Sequence, residues 1–234
     1  MDEQPVKKPI KVVVLVSADA EWGAVRHIHP SAEMQLSPYG EWFILDDTRG
    51  VIVFQGGWGK ISAAASTQYA IDRWRPELLV NLGTCGGFEG RIGRGTIILV
   101  ERTAVYDIIE QMDDDLPFLA FYQTEIDLSW LAESYPLPVV RSLMLSADRD
   151  LVAGEIPALI ERYGGLAGDW ESGAIAWVAE RNQTRVLILR GVSDLVGSAG
   201  GEAYGNYEGF KQSAREILDR LFASLPHWLT CAGL

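Results

Sequence analysis

Acidic side chains recur at one kind of place in this chain, just beyond the carboxyl ends of apolar, strand-like runs. Residues 10–16 are followed by Ser17-Ala18-Asp19-Ala20-Glu21, residues 166–168 by Asp169-Trp170-Glu171-Ser172, and residues 185–189 by Arg190-Gly191-Val192-Ser193-Asp194. Residues 139–145 lead into Ser146-Ala147-Asp148-Arg149-Asp150, and residues 78–82 into Gly83-Thr84-Cys85-Gly86-Gly87. Carboxyl groups gathered at strand ends could serve one bound molecule as general acid and general base. Any one of them also reads as a helix N-cap, a position that favours Asp and Ser for local reasons. Caps do not call for Glu at the third or fifth position past a strand, so the set as a whole favours acid–base chemistry.

Other chemistries find less support. His27, His29 and His227 all lie outside these segments, which leaves a Ser-His-Asp arrangement without its base. The i, i+2 spacing of His27 and His29 does not share a helix face, and no metal is expected. The Gly83–Gly87 stretch suits close backbone approach to a ligand, or a plain tight turn. It matches neither a P-loop nor a dinucleotide G-x-G-x-x-G pattern, so no cofactor is expected.

These side chains need a frame. Continuous β-branched runs such as 10–16 predict strands buried on both faces. Further strands are predicted at 42–45 and 51–55, joined by a polar turn at 46–50, and at 78–82, 96–100, 139–145, 166–168 and 185–189. A glycine loop, 83–95, is predicted between the fourth and fifth of these. Helices are predicted from Lys60 to about Trp74 and over 156–163, 170–180 and 207–222. In the last of these Phe210, Ala214, Ile217, Leu218, Leu221 and Phe222 share a face. Segment 106–138 carries the weakest pattern, with Asp113-Asp114-Asp115 read as a solvated turn. The alternation indicates an α/β fold around a mixed, largely parallel sheet.

The chain has 234 residues, 48% hydrophobic and 22% charged, enough for a sizeable core within one domain, 1–234. Its net charge of −12 and isoelectric point of 4.7 argue against nucleic acid or an anionic membrane as partner, but not against an uncharged small molecule. Cys85 and Cys231 are far apart and form no disulfide framework. The first apolar run is too short for a membrane span, and the cytoplasm is the expected compartment.

Taken in order, several segments resemble those of one family. They are Ala18-Asp19-Ala20-Glu21, Gly57-Trp58-Gly59-Lys60, Val80-Asn81-Leu82-Gly83-Thr84-Cys85-Gly86-Gly87-Phe88, Tyr106-Asp107, Asp169-Trp170-Glu171-Ser172-Gly173-Ala174 and Val192-Ser193-Asp194-Leu195. The chain resembles the nucleoside phosphorylase and nucleosidase superfamily. Within it the likeness is to the 5′-methylthioadenosine/S-adenosylhomocysteine nucleosidases, the Gly-Thr-Cys-Gly-Gly-Phe wording being similar to plant-type members. The resemblance implies a three-layer αβα sandwich and cofactor-free hydrolysis of a purine nucleoside with release of adenine. It implies Asp194 as the acid toward purine N7 and Ser193 as its orienting neighbour. Glu171 would bind the ribose hydroxyls, flanked by Trp170 and Asp169. Glu21 would activate water beside the Thr84 hydroxyl, and Tyr207, with Phe210, would close over the 5′ substituent. It also implies a homodimer and a place in methionine salvage.

Where related phosphorylases carry a phosphate-binding Arg, this chain has Asn81, and an anionic Glu21 would repel phosphate; hydrolysis is favoured. Two departures stand out. Arg149-Asp150-Leu151 occupies the place where relatives carry a base-stacking aromatic, and Glu110 falls near the 5′ region. Alternatives are a nucleosidase or phosphorylase for another purine nucleoside, or a non-catalytic nucleoside-binding protein.

Overall fold

A computed structural model describes residues 9–109 and 120–234. Its spine is β1 (Val12–Val16), every residue of which is buried, as a β-branched run on a two-sided sheet requires. Val12, Val14 and Val16 face one core and Val13 and Leu15 the other. Helix α1 (Asp19–Ile28) follows β1, then β2 (Gln35–Leu36) and the antiparallel pair β3 (Glu41–Asp46) and β4 (Val51–Gln55). Helix α2 (Gly59–Trp74) leads to β5 (Leu78–Phe88), β6 (Ile97–Val105), β7 (Gln123–Glu125) and β8 (Val139–Ser146). Next come α3 (Ile156–Tyr163), β9 (Ala167–Asp169), α4 (Ser172–Arg181), β10 (Arg185–Gly197), β11 (Gly200–Gly201) and α5 (Tyr207–Cys231).

Among the described residues these strands form one sheet, in the order β11-β10-β6-β8-β9-β5-β1-β4-β3-β2, with β7 beside β6. The longest ladders, β10 with β5 and β6 with β8, are parallel. An additional pairing of β10 with β5 closes the run β5-β9-β8-β6-β10 on itself. Helices α1 and α5 pack together on the face that carries Trp22, Val25, Ile217 and Leu221, while α2 and α4 pack together on the face that carries Ala63, Ala70, Ile175 and Val178. Two helical layers therefore enclose the sheet, giving the expected three-layer arrangement.

Several elements outrun their sequence signals. The expected loop over 83–95 is strand as far as Phe88, because β10 lies alongside and its backbone bonds to residues 83–88. The glycines on these strands make room for neighbouring side chains: a Cβ would meet Arg190 at Gly83, Val192 and Ile92 at Gly87, and Ile217 at Gly191. Strand β10 likewise continues eight residues past the apolar run 185–189. Helix α4 begins at Ser172 rather than 170, which leaves Trp170 and Glu171 on the approach to it. Helix α5 runs through Pro226 to Cys231, beyond the expected end at 222, and Leu225, Trp228 and Leu229 bury its extra turns. Residues 113–115, expected to form a turn, and Glu110 lie outside the described residues.

Candidate active site

A cavity of about 710 Å³ opens past the ends of β1, β8 and β9 and along the outer halves of β5 and β10. That volume lies within the range typical of small-molecule sites. All eight residues singled out from the sequence (Glu21, Thr84, Asp169, Trp170, Glu171, Ser193, Asp194 and Tyr207) line it.

Beneath the cavity lies a side chain that the sequence reading passed over. Arg190, on β10, is wholly buried. Its Nε is 2.9 Å from Asp169 Oδ2 and donates to Ser172 Oγ at 3.0 Å. Its Nη2 donates to Asn81 Oδ1 at 2.8 Å and lies 3.5 Å from Glu171 Oε2. Its Nη1 donates to the Thr84 carbonyl at 3.3 Å and stands 3.9 Å from Glu21 Oε1. Burial opposes the charge on this guanidinium, but Asp169, Glu171 and Glu21 outweigh it and hold its pKa above the ordinary value. Gly83 makes the arrangement possible, since a Cβ there would fall 2.2 Å from Arg190 Nη1 and 2.9 Å from Glu21 Oε1.

Glu21 sits in the first turn of α1 and is 2% exposed. Its Oε1 accepts from the Thr84 backbone N–H at 2.6 Å and from the Thr84 hydroxyl at 2.8 Å, and its Oε2 accepts from the Ala18 N–H at 3.3 Å. The cap reading and the site reading thus both describe it. Asp169 is more fully committed to the protein. Its Oδ1 accepts from Ser146 Oγ at 2.6 Å, its Oδ2 takes Arg190 and the Ser172 hydroxyl, and the Ser172 N–H caps onto both oxygens. It lines the cavity, but both oxygens are occupied by donors from the protein, unlike a free substrate ligand.

Asp194 stands apart from this cluster. A register shift between Val192 and Asp194 sets Ser193 in a bulge, a device that re-aims side chains. The Ser193 hydroxyl lies 2.7 Å from Asp194 Oδ1 and 3.2 Å from the Cys85 carbonyl. Burial pushes the Asp194 pKa above the usual carboxylate range, against hydrogen bonds from Ser193 and the Ala203 backbone that pull the other way. Glu171 is pushed further, to about 8, chiefly by burial and in spite of Arg190. Burial thus favours the protonated form of Glu171 more strongly than that of Asp194.

The mouth is framed by α2. The Gly59 N–H, at φ +82°, donates to Glu171 Oε1 at 3.1 Å. Lys60 then ties two loops together, with its N–H on Asp148 Oδ1 at 2.7 Å and its ammonium paired with Asp107, whose Oδ2 accepts from the Asp148 N–H at 2.9 Å. Trp58, 63% exposed, stacks on Trp170 with ring centroids 4.8 Å apart, and both rings line the cavity. Tyr207 and Phe210, in the first turn of α5, line it too, Phe210 partly exposed where Ala214, Ile217 and Leu221 are buried.

Arg190, Trp58 and Tyr204 are the lining or supporting residues that sequence reasoning missed. Arg190 carried a signal, a cation at the end of an apolar strand beside a glycine. Trp58 carried one as well, a large aromatic between two glycines before a helix. The histidines stay away from the site, and His29 packs between Phe43 and Phe222. Among the described residues no cluster of His, Cys, Asp and Glu could hold a metal ion.

Residues 40–225 match the family model described as the phosphorylase superfamily. A 5′-methylthioadenosine/S-adenosylhomocysteine nucleosidase of Staphylococcus saprophyticus is 30% identical over 198 residues, 75% of this chain and 82% of that one. The protein of the same name from Listeria innocua is 27% identical over 89% of this chain and 97% of its own. Among solved structures, the apo 5′-methylthioadenosine nucleosidase of Arabidopsis thaliana superposes with a TM-score of 0.74 at 20% identity, over 94% of this chain and 96% of that one. The Helicobacter pylori 5′-methylthioadenosine/S-adenosylhomocysteine nucleosidase bound to butyl-thio-DADMe-Immucillin-A gives 0.77 at 15% identity, over 94% and 100%. The chain belongs to the phosphorylase superfamily, alongside relatives named 5′-methylthioadenosine/S-adenosylhomocysteine nucleosidase.

Proposed function

We propose that the cavity hydrolyses the N-glycosidic bond of a 5′-modified purine nucleoside, methylthioadenosine or S-adenosylhomocysteine, and releases adenine. One observation carries this reading. Carboxyl groups from three separate segments, Glu21 after β1, Glu171 after β9 and Asp194 within β10, converge on one cavity in three different environments. Cleavage develops positive charge on the sugar and negative charge on the departing purine. Asp194, whose pKa burial raises, donates a proton to the purine N7 as the bond breaks, and Ser193 orients it. Glu171 holds the ribose hydroxyls, and its ionisation becomes more favourable as positive charge grows on the sugar. Glu21, fixed by Thr84, takes a proton from water as the water oxygen attacks the anomeric carbon. Arg190 and Asp169 position Glu21, Glu171 and the β5–β10 wall without touching substrate. Trp58 and Trp170 flank the ribose, and Tyr207 covers the 5′ substituent.

Water rather than phosphate fits this site. Asn81 bonds to the Leu15 carbonyl and to Arg190, so it faces the scaffold. Arg149, which does line the cavity, pairs with Glu155 at 2.9 Å. The test is incubation with methylthioadenosine, with and without phosphate. Adenine should appear at the same rate in both; no release, or release only with phosphate, overturns the reading.

The same reading takes the chain as one catalytic domain, cofactor-free, acting as a homodimer in the cytoplasm within methionine salvage. Exposed Trp58, the N-cap of α2, and exposed Ile61, in its first turn, support an interface beside the cavity. No helix among the described residues is long and apolar enough to cross a membrane. A single monomeric mass in solution would overturn the dimer.

A further inference from the structure

The glycine-rich stretch between β10 and α5 does more than connect them. Strand β10 turns back on itself through β11, with Val196 opposite Gly201 and Gly197 opposite Gly200. The returning chain therefore runs over the same residues that it has just built. Glu202 pairs with Leu195, its N–H bonding to the Leu195 carbonyl at 3.0 Å and its carboxylate accepting from the Leu195 N–H at 2.8 Å. The Ala203 N–H reaches the Asp194 carboxyl. Tyr204 then crosses to the opposite wall, where its hydroxyl donates to the Leu151 carbonyl at 2.6 Å.

The ring of Tyr204 lies against Gly201, where a Cβ would fall 2.6 Å from it, and lines the cavity. Five aromatic residues line this cavity. Trp58 and Trp170 stack on each other beside Glu171, and Tyr207 and Phe210 belong to the first turn of α5. Tyr204 alone among them adjoins a residue that bonds to the Asp194 carboxyl. It is also fastened at both ends, through the hairpin and through Leu151, so its ring is held without help from a ligand.

We propose that Tyr204 supplies the aromatic face against which the purine base stacks, and so sets affinity for the base separately from the sugar. The proposal rests on the nucleosidase reading, which places the base beside Asp194. A purine presents a π-face to any flat ring, and loss of one base–aromatic stack weakens binding about fivefold or more. The hydroxyl bond to Leu151 keeps the ring in place but is not itself the contact.

Adenine and 5-methylthioribose, the two products of methylthioadenosine hydrolysis, test this separately by calorimetry. Tyr204→Ala and Tyr204→Leu should weaken adenine binding at least about fivefold and leave 5-methylthioribose within about twofold, and Tyr204→Phe should keep adenine binding near wild type. The leucine variant retains bulk without a π-face, so it answers the question if the alanine variant does not fold. A loss of adenine affinity smaller than fivefold overturns the proposal. So does an equal loss for both ligands, or a phenylalanine variant as weak as the leucine one. A wild-type protein that binds adenine tightly while Tyr204→Leu binds it equally well refutes Tyr204 alone. A wild-type protein that neither binds adenine nor releases it from methylthioadenosine refutes the nucleosidase reading beneath it.

Discussion

Replacing Arg190 with methionine tests the frame of the site most directly. Methionine fills much of the space of the arginine stem, so the change mainly removes the guanidinium. It breaks the ion pair with Asp169 at 2.9 Å and the hydrogen bonds to Ser172, Asn81 and Thr84, and it leaves Glu171 and Glu21 without a cation nearby. Removing one member of a buried ionic cluster costs about 3–5 kcal/mol, because the remaining charges stay buried and unpaired. In a chain of this length each kcal/mol lowers the melting temperature by about 2–4 °C, so a fall of about 6–20 °C is expected.

The loss should also depend on pH, with a definite sign. Glu171 already has its folded pKa raised from 4.5 to about 8, and Arg190 is what restrains it. Without Arg190 the folded value rises further. A carboxyl raised in this way contributes stability that is fully present below its unfolded value and is lost as pH rises through the folded one. Arg190→Met should therefore melt closer to wild type at pH 5 than at pH 8. Thermal unfolding at both pH values, with turnover measured below the melting point, makes the check. A fall under about 2 °C, or an equal fall at the two pH values, would refute the reasoning. Turnover should collapse, since both Glu21 and Glu171 lose a restraint.

Other outcomes follow from the same geometry. Asp194→Asn should lower turnover about 10²- to 10⁴-fold with adenine binding largely kept, and activity within a few-fold of wild type would show the acid to be misassigned. In the wild-type protein turnover should fall as pH rises through the raised pKa of Asp194. Gly83→Ala should cost about 1–3 kcal/mol by overpacking and reduce turnover, because its Cβ would meet Arg190 and Glu21; an unchanged melting curve would count against it. Glu171→Gln removes a group whose ionisation destabilises the folded chain between pH 4.5 and about 8, so the variant should lose less stability than wild type from pH 5 to pH 8. Parallel stability–pH curves would exclude that.

The parts of this molecule that the sequence declares are those fixed by short-range pattern. The β-branched run of β1, the polar turn between β3 and β4 and the amphipathic face of α5 each satisfy a period that local sequence displays. What it hid depends on partners distant in the chain. Residues 83–88 look like a glycine loop until β10 lies beside them, and residues 190–197 look like a loop until β5 does the same. Neither strand is predictable alone, because glycine has weak strand preference and the pairing supplies the order. Arg190 was hidden for a related reason. An arginine after an apolar run ordinarily marks a strand end reaching water, whereas here the strand goes on and the guanidinium turns inward onto three carboxyl groups.

That same pairing explains how one wall can hold carboxyl groups to opposite tasks. Along β10, Arg190 and Asp194 are four residues apart, but the bulge at Ser193 lies between them and re-aims the strand. Below the bulge the guanidinium concentrates positive charge on Asp169, Glu171 and Glu21. Above it the leading influences on Asp194 are burial, two hydrogen bonds and the negative charges of Glu202 and Asp150. A single irregularity in the ladder thus divides the site into a charged floor that positions and, above it, an acid whose pKa burial raises. Two local features create the division: Gly83, whose missing side chain leaves room for Arg190, and the hairpin that brings the Ala203 N–H back onto Asp194.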